Sequence, residues 1–127
     1  MTVCRAENKK RAANPYPAPK FTNPAKATPA QLKAGAPYLA RDLAITYDEV
    51  HKVFALGTPE ETAARTAWLR LKTVLVKYSL PAFAKAVADL KKGDGKLVAA
   101  DFAKSSRYDA EQTKLQKTIG LKVCGNG

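Results

Sequence analysis

Two helix starts stand thirty positions apart in this chain, as Thr28-Pro29-Ala30-Gln31 and Thr58-Pro59-Glu60-Glu61. In each, a hydroxyl suited to the N-cap precedes a proline at the first helical position, where a missing N–H costs nothing. Gln31 completes a capping-box pattern, and Glu60 and Glu61 lie favourably against the positive end of a helix dipole. The residues after each start repeat at helical spacing. Leu39, Leu43, Tyr47, Val50 and Phe54 mark one face of a helix that runs to Leu56, with Gly57 as its C-cap. Gly35 and Pro37 are expected to break or kink its beginning.

The second helix runs from Pro59 through Leu80, where Pro81 kinks it or starts another that reaches Lys92. Phe83, Val87 and Leu90 form the inner face of that continuation. Lys91-Lys92-Gly93-Asp94-Gly95-Lys96 reads as a turn. A last helical region runs from Lys96 to Gly120, with Leu97, Val98, Phe102, Leu115 and Ile119 inward and Ser106 and Asp109 placed to cap a restart. No segment shows the period-two alternation of a strand. The predicted class is all-α, an antiparallel up-down bundle of three to four helices over residues 28–120, because the connections are short.

The N-terminal stretch carries the opposite signal. Six of the eight prolines fall at or before Pro37, which favours extended, polyproline-like backbone. Residues 1–27 are therefore read as an extended, basic, Pro-rich arm, with Tyr16 and Phe21 as aromatic anchors for docking on the bundle. Residues 121–127 are read as a tail tethered through Cys124.

At 127 residues the chain is one domain's length. Its formal net charge is +11, of which residues 1–27 carry +5, 58–92 carry +4 and 93–127 carry +2, while 28–57 balance to zero. Such a chain attracts anionic polymer, acidic lipid or acidic protein, and solubility alone is the plainer explanation. No stretch reaches the ~18 apolar residues of a membrane span. Met1 is followed by polar, basic residues and not by a signal-peptide core, so the expectation is a cytosolic protein or a mature secreted form lacking its signal peptide.

The cysteines favour the second. Cys4 sits in a charged segment and Cys124 follows the last helix, so neither is read as lying on an apolar helical face. A Cys4–Cys124 disulfide accounts for both placements and tethers the arm, which requires an oxidising compartment. Cys4, the helical layout and the ending Leu121-Lys122-Val123-Cys124-Gly125 resemble small secreted bacterial proteins of actinobacterial type, with an N-terminal cysteine and a terminal Cys-Gly. That resemblance implies export to the cell envelope or beyond and a disulfide, and no activity.

Chemistry-bearing constellations are sparse. The one histidine, His51, shares a helix face with Asp48, but a metal site normally needs three or four ligands, so no metal and no cofactor is predicted. The Gly93–Gly95 turn lacks the glycine and hydroxyl spacing of a phosphate loop. Asp101, Asp109 and Glu111 lie among lysines and read as a solvated face. With no nucleophile–base pair in sight, the chain is read as not an enzyme.

The helix from Pro59 holds the strongest binding signal. Trp68, Leu71, Val74, Leu75 and Tyr78 form a wide apolar face, and Leu69, Val76 and Leu80 form a narrower stripe on the opposite side. That second stripe is read first as core, alternatively as an exposed apolar ridge. Arg65, Arg70, Lys72 and Lys77 border it and are the candidate anion- or partner-binding residues. The leading expectation is an exported, non-enzymatic binding domain for an anionic partner. A carrier of a small hydrophobic or lipid ligand between helices is one alternative, and a basic nucleic-acid-binding protein is another.

Overall fold

Thr28 caps α2 (Pro29–Phe54) through a complete capping box. Its hydroxyl accepts from the Gln31 backbone N–H at 3.2 Å, and the Gln31 side chain accepts from the Thr28 N–H at 2.9 Å. α2 continues unbroken past Gly35 and Pro37, so the expected break is absent. Gly35 and Ala36 are buried there, and packing on that face holds the helix together across the proline. The helix ends at Ala55, two residues before Gly57, which takes a left-handed φ of +96°.

The computed structural model describes residues 2–14 and 21–121, and every regular element among them is helical. α1 spans Thr2–Ala12, and a 3₁₀ turn at Pro24–Lys26 precedes α2. α3 (Thr62–Thr73) passes through a π-helical segment, Val74–Ser79, into α4 (Leu80–Lys92). α5 (Gly95–Ser106) and α6 (Asp109–Ile119) follow. Among the described residues no helix is long and apolar enough to cross a membrane.

α1 corrects the expectation of an extended arm over residues 1–27. The prolines of that stretch all lie beyond position 14, so nothing in Thr2–Ala12 opposes a helix. Charge pairs to α2 and an apolar face both dock it. The Arg11 guanidinium makes a two-pronged contact with Glu49, at 2.9 and 3.1 Å, and also donates to the Thr46 hydroxyl. Lys10 bridges Glu7 and Asp48, and Lys52 bridges the same two carboxylates. The Asp48 carboxyl is held far below the usual carboxylate range by hydrogen bonds from Lys10 and Lys52. Phe21 packs against the Leu32 cluster, and Tyr16 lies outside the described residues.

Two apolar clusters occupy the two ends of α2, whose 26 residues span roughly 39 Å at helical rise. At its start Leu32 and Ala36 pack with Leu90 and Val98. At its end Val53 packs with Trp68, Leu71, Leu121 and Cys4. α2 thus meets α4 and α5 at its start and α3 at its end. Cys4 lies on the buried face of α1, which overturns its placement in a solvated arm.

Two local devices set the α4–α5 corner. Gly93 takes φ +74° as the C-cap of α4, and Asp94 caps α5 by accepting from the Leu97 N–H at 3.1 Å. At Gly95 the Pro24 carbonyl lies so close that no Cβ fits, which seats the 3₁₀ turn on α5. Leu97 is exposed, contrary to its expected inward position, while Val98 is fully buried. The α3 start also differs from expectation. Glu61, not Thr58, is its N-cap, with its carboxylate accepting from the N–H groups of Ala63 and Ala64. A carboxylate that accepts two N–H groups at a dipole end outcompetes a single hydroxyl three residues earlier.

Candidate functional site

Pro81 has no N–H to give, and in a continuous α-helix its ring would press on the carbonyl of Lys77. The chain answers with the π segment Val74–Ser79, whose extra residue in the turn changes the phase of everything after Thr73. Ser79 is buried here and accepts a 2.7 Å hydrogen bond from the Gln112 amide of α6. Two clefts open beside this segment, and it contributes side chains to both.

The first is apolar, with a volume of about 440 Å³. Tyr47, Val50 and Phe54 of α2 form one wall, and Val76 and Leu80 form the other. His51 and Lys72 stand at its polar edge. Phe54 is braced edge-on against Trp68, with ring centroids 5.0 Å apart. The Lys72 ammonium lies 6.0 Å from the Phe54 ring centroid, a cation–π distance, and has no acidic partner among the described residues.

The second cleft, about 350 Å³, is basic. Lys77 comes from the π segment, Lys85 from α4, Lys104 from α5, and Arg107 from the C-cap of α5. Its aromatic element is a stacked pair, Tyr78 on Tyr108, with centroids 5.2 Å apart and planes within 17°. Lys85 is neutralised by Asp89 at 2.8 Å and Asp101 at 3.2 Å, and its ammonium is correspondingly held charged above its ordinary range. Lys77, Lys104 and Arg107 have no acidic partner among the described residues.

The four cations expected to act together are dispersed. Arg65 donates to the carbonyls of Pro59 and Glu60, tying down the loop before α3. Arg70 is forked onto Glu111 of α6, which lowers the Glu111 carboxyl through hydrogen bonding. Lys72 faces the apolar cleft and Lys77 the basic one. The expectation assumed a straight 100° helix, and the π segment begins between Lys72 and Lys77. The Leu69–Val76–Leu80 stripe also divides. Leu80 is core at 4% exposure, whereas Leu69 and Val76 stand half exposed at 53% and 50%. Tyr78 likewise leaves the core for its stack on Tyr108.

Lys104, Arg107 and Tyr108 were not legible as site residues. The only signal was their bunching in the polar break between α5 and α6, in Lys104-Ser105-Ser106-Arg107-Tyr108. Asp101, expected on a solvated face, is 2% exposed beneath Lys85. Asp48, which shares a helix face with His51, is paired with Lys10 and Lys52. Cys124 lies outside the described residues. Comparison with protein-family models, with curated proteins and with solved structures finds no match for the chain.

Proposed function

We propose that this chain is an exported, non-enzymatic helical binding domain, with the up-down bundle as its frame, that engages an anionic partner at the basic cleft. One observation carries the reading. Lys77 of the π segment and Lys104 and Arg107 of α5 and its C-cap converge with no acidic partner among the described residues, while Arg70 and Lys85 nearby are neutralised. The helices fix the backbones that carry these charges, so binding has to order the long side chains but no backbone. Export rests on the cysteines: Leu121, three residues before Cys124, lies in the same buried cluster as Cys4, which supports a Cys4–Cys124 bridge and an oxidising compartment. The resemblance to small secreted bacterial proteins points the same way.

Fluorescently labelled polyphosphate is the probe, titrated at rising salt. Affinity should fall steeply with salt, since exposed charges are screened within ~8–10 Å at ordinary ionic strength. The double variant Lys104→Glu/Arg107→Glu should weaken binding at least about tenfold more than Lys9→Glu/Lys91→Glu, an equal change of charge elsewhere. Equal losses from both pairs would reduce the attraction to diffuse net charge and remove the site. A strong preference for single-stranded DNA over polyphosphate would move the reading to the nucleic-acid alternative.

A further inference from the structure

The apolar cleft is built for a different ligand from the basic one, and its chemistry is narrower. Tyr47 and Val76 leave apolar surface in water across the mouth, at 45% and 50% exposure. A cleft of about 440 Å³ with such walls lies within the size range of small-molecule sites. Its one unanswered cation is Lys72, whose ammonium rides along the Phe54 ring at the rim. An apolar cleft with a single cation among its lining residues complements an apolar chain with a single anionic head. The π segment that supplies Val76 strengthens the assignment, because π turns inside helices are frequent at functional sites.

We propose that this cleft binds a free long-chain fatty acid, its acyl chain lying between α2 and the π segment and its carboxylate meeting Lys72. Val76 and Leu80 on one side and Val50 and Phe54 on the other cover the chain. A partner helix fits less well, since its anchoring would spread charge along the cleft and only one cation is there to meet it.

Oleate and oleyl alcohol, both below their aggregation limits, are titrated against the intact protein by calorimetry or tryptophan fluorescence. Trp68, braced against the Phe54 wall, serves as reporter for the latter. Oleate should bind saturably at one per chain. Val76→Trp, which fills the cleft from an exposed position, should abolish binding without lowering the melting temperature. Lys72→Met keeps the apolar stem and should weaken oleate roughly tenfold while leaving oleyl alcohol unchanged. Val76→Glu, which sets a negative charge on the wall, should also abolish oleate binding and keeps the test decisive if the Trp variant misfolds. The Lys104→Glu/Arg107→Glu protein should retain oleate, which separates this site from the basic cleft. No saturable oleate binding, or binding indifferent to both Val76 variants, overturns the proposal. So does sedimentation showing dimers that Val76→Glu dissolves, because the face would then be covered by a second copy.

Discussion

The backbone N–H of Leu80 donates to the carbonyl of Leu75, five residues back, immediately before a proline that can donate nothing. That one bond is where α3 and α4 change phase. It places Val76 on the apolar cleft and Lys77 with Tyr78 on the basic one, and it leaves Leu80 in the core. Both candidate sites thus depend on how the chain accommodates Pro81.

Pro81→Ala restores the N–H and removes the ring that disfavours an α turn. Proline in a helix interior costs about 3 kcal/mol relative to alanine, and the variant should recover part of that as a melting temperature raised by a few degrees, about 2–4 °C. The same change should rotate Lys77 and Tyr78 out of register, seen as altered near-ultraviolet dichroism of the stacked tyrosines and weaker polyphosphate binding. Unchanged dichroism with unchanged binding would mean that the π segment is held by its packing, through Ser79 and Gln112, and not by the proline.

Asp101 and Asp89 make the stability of the α4–α5 pair depend on pH. Asp101 is buried, accepts from Lys85 at one oxygen and meets no donor at the other. Burial, then its hydrogen bond with Asp89, pushes its carboxyl above the ordinary aspartate range. Asp89 is held below that range by hydrogen bonds from Asp101 and Lys85, with Lys92 also facing it. A proton on Asp101 would turn its unanswered oxygen into a donor, with the Asp89 carboxylate as the acceptor at hand. A carboxyl raised on folding stabilises the fold below its unfolded pKa of about 4, and that contribution is lost as pH rises through the raised value. Asp89 acts in the opposite direction, losing its contribution as pH falls. Asp101→Asn keeps a donor toward Asp89 and cannot ionise. Urea midpoints measured at pH 4.5 and pH 7 should therefore shift in the variant's favour at the higher pH. A difference that is flat or reversed across that window would show that Asp101 ionises as an ordinary surface acid does.

The cysteine pairing is tested by mass. Intact protein prepared under oxidising conditions should gain two hydrogens on reduction, and alkylation before reduction should label neither Cys4 nor Cys124. Labelling of both in the native protein would end the export reading. Cys124→Ser should lower stability by up to about 4–5 kcal/mol in the chain-entropy view of so long a loop. α1 should stay helical and docked in that variant, because Arg11 with Glu49 and Lys10 with Asp48 hold it independently of sulfur.

What the sequence alone determined is local. The all-helical class, the Thr28 capping box, the Gly93 turn and the interruption at Pro81 all follow from interactions within about five residues. Those depend on side-chain type and spacing, which a linear reading contains. The tertiary structure decided the rest. Thr2–Ala12 is polar and basic, and its helix is held by Arg11 and Lys10 reaching acids 38 positions away. Arg70 was lost to the predicted array because Glu111, 41 positions on, comes to lie beside it. Lys104, Arg107 and Tyr108 came beside Lys77 only when α5 folded against the π segment. Charges are long-reaching and their partners are chosen by packing, so spacing along the chain shows which cations exist but not which are left unanswered.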